Sequence, residues 1–154
     1  MSTTEVRTDD ATSVARVGRF DMKLEIVVIP VSDVDRAKRF YGNLGWRLDA
    51  DFVKGDEFRV VQLTPPGSAC SIAIGIGITS AEPGSYRGTH LVVDDIEGVR
   101  AELAGRGVEV EEIRHMTPEG WRDGVDPEHA DYNSFADIAD PDGNTWVLQE
   151  VRRG

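Results

Sequence analysis

Apolar residues recur along this chain in two alternating rhythms. From Leu24 to Val31 the run LEIVVIPV is rich in β-branched residues and reads as a strand. Val34, Ala37 and Tyr41 then recur at three- and four-residue spacing, the stripe of a helix packed on one side. Ser32-Asp33 supplies a capped start with Asp35 and Arg36 behind it, and Gly45 supplies the stop. Trp46 and Leu48 begin an alternating strand, and Phe58 to Thr64 and Cys70 to Ile78 read as two more. The same succession returns further along. RGTHLVV precedes Asp94-Asp95, Ile96, Val99 and Leu103 form a second stripe, and Gly107 closes it before Val108 and Val110. Val34 on Ile96, Ala37 on Val99, Tyr41 on Leu103 and Gly45 on Gly107 share one offset of 62 residues. Ser134 to Ala139 and Thr145 to Val151 complete the second set. The prediction is an internal repeat of two βαβββ modules, Met22 to about Ala81 and about Ser85 to Arg152.

The halves differ in one place. Aligning the turns Pro65-Pro66-Gly67 and Pro141-Asp142-Gly143 needs an offset of 76, so the second half carries 14 additional residues. They fall within Arg114 to Asn133, a stretch rich in Gly, Pro and Asp, which reads as a long loop placed to cover a site. Residues 1–21 are polar, without a sustained apolar period, and read as a flexible leader outside the folded unit.

Composition narrows the partners. Twenty-eight acidic against 17 basic residues give a net charge of −11, a field that repels phosphate backbones and anionic membranes. No nucleic acid and no membrane is expected as a partner. No apolar stretch approaches the roughly 18 residues that span a bilayer, and no secretion-type apolar segment opens the chain, so a cytoplasmic location is expected. The single cysteine, Cys70, excludes an internal disulfide or a Cys-rich zinc site and reads as a buried thiol among apolar neighbours. Gly75-Ile76-Gly77 lacks the third glycine of a dinucleotide-binding loop, and phosphate-loop and serine-elbow motifs are absent.

Several of these segments together resemble the vicinal-oxygen-chelate superfamily, which includes glyoxalase I, extradiol dioxygenases, fosfomycin-resistance enzymes and bleomycin-binding proteins. The likeness rests on Val31-Ser32-Asp33-Val34-Asp35-Arg36-Ala37 with Phe40-Tyr41 and Leu44-Gly45. In the second half it rests on Val93-Asp94-Asp95-Ile96, Gly105-Arg106-Gly107-Val108 and Asp140-Pro141-Asp142-Gly143-Asn144 with Trp146. It covers residues 22–152 and implies an α+β fold in which two tandem βαβββ modules form a cupped, partly closed mixed sheet with the helices outside. It also implies a homodimer.

Metal-dependent members of that superfamily carry four His, Glu or Gln ligands on cup-facing strand positions. Here those positions hold Ile26, Ser71 or Ala73, Gly88 and Val147. An isoleucine, a glycine and a valine offer a divalent ion nothing, so no metal and no other cofactor is expected. Strand alternation instead puts His90 and Gln149 on the cup face, where His90 is the candidate for orienting or deprotonating a ligand. Ile26 and Val147 are candidate apolar contacts. Trp121, Tyr132 and His115 are candidates from the long loop, the two aromatics to stack on a flat ligand. His129 reads as exposed, and Glu25 and Glu150 as edge charges. The function this implies is a metal-independent protein that binds, and sequesters, a small organic molecule in an apolar cup. The competing reading is a metal-independent lyase or isomerase that moves a proton with His90.

Overall fold

Asp33 and Asp95 start the two helices. Each side chain accepts the backbone N–H three residues on, from Arg36 and from Gly98, both at 3.0 Å, a cap that contributes about 1 kcal/mol. The structure is a computed structural model in which residues 19–152 are described. Their order is β1 (Ile26–Val28), α1 (Val34–Asn43), β2 (Arg47–Lys54), β3 (Phe58–Thr64), β4 (Ser71–Ile76), β5 (Thr89–Val93), α2 (Ile96–Gly105), β6 (Arg114–Thr117), β7 (Gly120–Asp123), β8 (Ser134–Ala139) and β9 (Thr145–Glu150). Most of the leader read from the sequence lies outside the described residues. No helix among the described residues is long and apolar enough to cross a membrane.

The strands form two mixed sheets, ordered β1-β4-β3-β2 and β5-β9-β8-β6-β7. In each, the strand before the helix pairs in parallel with the last strand of its module, Val27 with Ile72 and Thr89 with Trp146. The repeat is therefore real, but by the last strand its offset is 74 rather than 76, because Gly67 stands four residues before Ser71 whereas Gly143 stands two before Thr145.

The second half departs from the expected pattern in two ways. Val108 and Val110 are buried, and Glu111 donates to the Asp137 carbonyl at 2.9 Å, yet this stretch is not a strand. The expected loop from Arg114 to Asn133 opens with the β6–β7 hairpin, which extends the sheet through pairing of Arg114 with Phe135 and His115 with Ser134. The Thr117-Pro118-Glu119-Gly120 turn lets a hairpin form there.

Side-chain alternation gives each sheet one helix-facing and one open face. Val61, Leu63, Ile72 and Ile74 of the first sheet and Ala136, Ile138, Trp146 and Leu148 of the second share one core with Val34, Ala37, Tyr41, Ile96 and Leu103. The open faces carry exposed apolar groups, Ile26, Phe52 and Phe58 on the first sheet and Val92, Met116 and Trp121 on the second.

One buried polar knot joins the modules. Trp146 Nε1 donates to the Tyr41 hydroxyl at 3.0 Å, and that hydroxyl donates to Asp140 Oδ2 at 2.7 Å. The other Asp140 oxygen accepts the backbone N–H groups of Asp142 and Asn144, both at 2.9 Å. Asn144 reaches from Asp140 to the Pro30 carbonyl at 2.8 Å. Around it Tyr41, Trp46 and Trp146 pack at ring separations of 5.0 to 5.9 Å. Burial, reinforced by the Asp140 charge, pushes the Tyr41 phenol far above its usual value near 10.

Tyr41→Phe removes the only hydroxyl between Trp146 and Asp140 while keeping the ring. Denaturant titration should show a loss of about 1–3 kcal/mol. The raised Tyr41 pKa also has a pH consequence. Its stabilisation is intact below about pH 10 and falls as pH rises past that value, because only the unfolded chain releases the phenolic proton there. The difference between wild type and Tyr41→Phe should therefore narrow in alkaline titration.

Candidate functional site

The open face of the second sheet gathers most of the chemistry. Register places His90 beside Val147, Val92 beside Gln149, Gln149 beside Phe135, Val147 beside Asp137 and Phe135 beside Arg114. His90 Nδ1 lies 2.8 Å from Gln149 Oε1, and Gln149 Nε2 donates to the Tyr132 carbonyl at 3.1 Å. The acceptor Oε1 fixes Nδ1 as the protonated nitrogen, leaving Nε2 as the acceptor in the neutral ring. Next to this chain, Trp121 and Phe135 meet edge to face at 5.5 Å. The Arg114 guanidinium covers both rings, 5.2 Å from the Trp121 centroid and 5.6 Å from that of Phe135. Trp121 is 50% exposed. His90, Gln149, Trp121 and Tyr132 are thus brought together around this face; Arg114, Phe135 and Asp137 are additions the sequence reading did not single out.

The segment behind the hairpin is a built structure. Asp126 accepts the backbone N–H groups of Glu128 and Ala130 and the Asn133 amide, at 3.0 to 3.2 Å, which holds its carboxyl below the usual carboxylate range. Asn133 in turn brackets Met116, accepting from its N–H and donating to its carbonyl. Tyr132 and His129 both adopt positive φ, and Tyr132 N–H donates to the Glu150 carbonyl at 2.8 Å.

Three charged or ionisable residues sit elsewhere than expected. His115 is on the helix-facing side, buried, with Nδ1 2.7 Å from the Gly124 carbonyl, because the β6 register gives its neighbour Arg114 the open face. Glu150 is 1% exposed rather than an edge charge. Its Oε2 accepts the Ile96 N–H at 3.0 Å, at the start of α2, and Oε1 lies 2.8 Å from His129 Nδ1. His129 is accordingly half-buried and paired, not free in solvent.

The four positions of the metal-ligand pattern fall on the open faces. Ile26 pairs with Ser71 and Val28 with Ala73; in the second sheet Gly88 N–H meets Thr145 and His90 pairs with Val147. By strand register Ala73, not Ser71, matches Val147. Isoleucine, alanine, glycine and valine contain no side-chain donor, so these positions do not fit a metal. Ser71 is bound otherwise, its hydroxyl 2.6 Å from that of Thr64, which donates to Asp49. With Arg47, that bond keeps the Asp49 carboxyl below its usual range.

A cavity of about 700 Å³ opens at the unpaired edge of β5. Leu44, Trp46 and the Pro65–Ser68 turn wall it on one side, and Val99, Leu103 and Leu148 on the other. It belongs mainly to the helix-facing side, and only His90 and Val92 are shared with the open face.

The family model for the Glyoxalase/Bleomycin resistance protein/Dioxygenase superfamily matches residues 23–148. The chain belongs to that superfamily. Among solved structures, this superfamily member is similar to TnmS3, an antibiotic binding protein from Streptomyces sp. CB03234, at 32% identity and TM-score 0.64 over 84% of this chain and 95% of that one. It is equally similar in sequence to a glyoxalase/bleomycin resistance protein from the same Streptomyces, at 32% identity and TM-score 0.62 over 83% and 100% of the two chains. A superfamily member from Sphaerobacter thermophilus DSM 20745 shares 28% identity at TM-score 0.65, over 84% and 98%. No curated protein matches the sequence.

The Glu150 contacts generate a prediction. Glu150→Ala removes the acceptor for Ile96 N–H and the partner of His129, and should cost about 1–3 kcal/mol in denaturant titration. Hydrogen exchange at Ala130 to Asn133 should speed up in the same variant. Unchanged exchange would mean that the Glu150 side chain does not hold the segment.

Proposed function

We propose that this superfamily member binds a small, flat organic molecule on the open face of its second sheet, without a metal, and holds the molecule rather than converting it. The observation that carries the reading is the half-exposed Trp121 ring packed on Phe135, which neighbours Gln149 of the His90–Gln149 pair, on a face whose metal-ligand positions Gly88 and Val147 are donorless. A flat ring stacks on the Trp121–Phe135 pair and drives off water from that surface, and a ligand that extends from there across β9 meets His90 Nε2, which accepts one hydrogen bond. The 32% likeness to an antibiotic binding protein supports binding as the activity. A second reading rests on the same His90: a neutral imidazole held in one tautomer is equipped to accept a proton, which suits an isomerase or lyase.

A second copy covers a separate surface in this reading. Phe20, Met22 and Leu24 alternate with charged residues ahead of Ile26, the pattern of a half-buried strand, yet they are 84%, 95% and 76% exposed. With Phe52 and Phe58 they form apolar surface that one chain leaves in water and a homodimer covers.

Mass spectrometry of protein purified without added ligand should recover one small aromatic compound, and long incubation should return it unchanged. A converted product would favour the His90 enzyme. Trp121→Ala should weaken binding of the recovered compound by about tenfold or more, and EDTA should leave binding intact. Sedimentation should give a dimer that Phe20→Ser with Met22→Ser weakens; a monomeric wild type would overturn the homodimer.

A further inference from the structure

Arg114 and Asp137 form an unfinished charge pair in the floor of the face just described. Arg114 Nη1 and Asp137 Oδ1 are 3.3 Å apart, with about a third of each side chain exposed (33% and 40%). Despite that proximity Asp137 Oδ1 is shielded from solvent and makes no hydrogen bond. Among the described residues the guanidinium is engaged only by the two ring faces and by this carboxylate, so its remaining N–H donors are open to whatever occupies the face. Elsewhere the chain satisfies its buried carboxylates with care: Asp140 accepts four hydrogen bonds and Asp126 three. A buried polar atom without a partner costs about 1–3 kcal/mol. Here the donor and the acceptor stand side by side, beside an exposed tryptophan, on the face that the functional reading assigns to a ligand.

We propose that Arg114 and Asp137 are the specificity-determining residues of this site and that together they select a neutral group presenting a hydrogen-bond acceptor beside a donor, carried on a flat ring. A carboxamide, lactam or hydroxy-ketone has that form. The carbonyl oxygen accepts from Arg114 while the N–H or O–H donates to the solvent-open side of the Asp137 carboxylate, away from the shielded Oδ1, and the ring lies against Trp121. The pair carries no net charge. An anion gains from Arg114 what it loses to Asp137, and a cation the reverse, so both are disfavoured relative to a neutral donor–acceptor group. Phe135 and Trp121 hold the guanidinium plane in place before the ligand arrives, so little rotamer entropy is lost on binding. The inference rests on the binding reading above and names the ligand chemistry of the same site.

The test uses four probes on one naphthalene frame: 1-naphthamide, 1-acetonaphthone, 1-naphthoate and 1-naphthylmethylammonium. Binding to the full chain is followed by calorimetry and by quenching of Trp121. The wild type should bind 1-naphthamide about tenfold more tightly than the other three. Asp137→Ala should turn the preference toward 1-naphthoate, and Arg114→Gln should turn it toward 1-naphthylmethylammonium. Such opposite exchanges of preference do not arise from a general loss of folding, which unchanged circular dichroism and melting temperature would check separately. Equal binding of all four probes, or variants that weaken all four alike, would overturn the assignment of Arg114 and Asp137 while leaving the ring site standing. Failure of every probe to bind wild type while Trp121 stays unquenched would overturn the ring site itself, and this inference with it.

Discussion

The Asp140 carboxylate is the constraint on which the arrangement of the two modules depends. A buried charge is tolerated only when its lone pairs are taken up. Among the described residues no cation is paired with Asp140; two backbone N–H groups, the Asn144 amide and the Tyr41 hydroxyl occupy its oxygens instead. Two of those partners face across the junction. Tyr41 belongs to α1, and Asn144 carries the contact onward to the Pro30 carbonyl at the end of β1. Ser32 adds a hydroxyl contact of 2.6 Å to Asp142. The turn between β8 and β9 is thereby pinned to the start of the first module, and β9, which carries Val147 and Gln149, leaves that turn in a fixed direction. Hydrophobic contact among Tyr41, Trp46 and Trp146 supplies the area, and the hydrogen bonds choose the geometry.

The repeat is one of backbone, and the chemistry of the two open faces is not repeated. On the first sheet, polar groups are used up internally, Asp49 by Thr64 and Arg47 and Ser71 by Thr64. Apolar Ile26, Phe52 and Phe58 are left outward. On the second sheet, polar groups remain available beside aromatic ones. The difference traces to the additional residues between β6 and β8. They contribute Trp121 on an extra strand and Tyr132 on a segment braced by Asp126, and they place Arg114 next to Phe135. An insertion that adds a hairpin to a sheet edge widens that face by a strand, about 5 Å for each one added.

What the sequence disclosed was whatever repeats with a period. Two helical stripes with Asp caps and glycine stops, recurring at one offset, were enough to lay out both modules and to put His90 and Gln149 on one face. Strand parity also placed Glu150 on the helix side. It could not say that the first turn of α2 would lie over that position and offer it the Ile96 N–H, since such a contact is made by residues 54 apart in sequence. The β6–β7 hairpin was hidden because its strands are four residues each and poor in β-branched side chains. Once the hairpin was taken for a loop, its parity was lost. A loop reading gives no reason to separate His115, which is buried, from Arg114, which faces outward. Asp137 was legible in principle, since Phe135, Asp137 and Ala139 alternate with the apolar Ala136 and Ile138.

The donorless metal positions and the unfinished Arg114–Asp137 pair bear on each other. A divalent ion at the centre of such a face would dominate its electrostatics, and ligand oxygens would be recognised by coordination. With Gly88 and Val147 at its ligand positions, the face of the second sheet has no cation to organise it, and its polarity comes from side chains, Asp137 standing directly beside Val147. In that setting an ion pair is stronger than in water, and each unpaired hydrogen-bonding atom costs more. Selectivity is then set by how well a ligand completes the existing pattern of donors and acceptors. A site of this kind rejects a mismatched polar group more sharply than it rewards an additional apolar one, since a ligand that covers Arg114 and the open side of the Asp137 carboxylate without matching them strips water from both and returns no hydrogen bond.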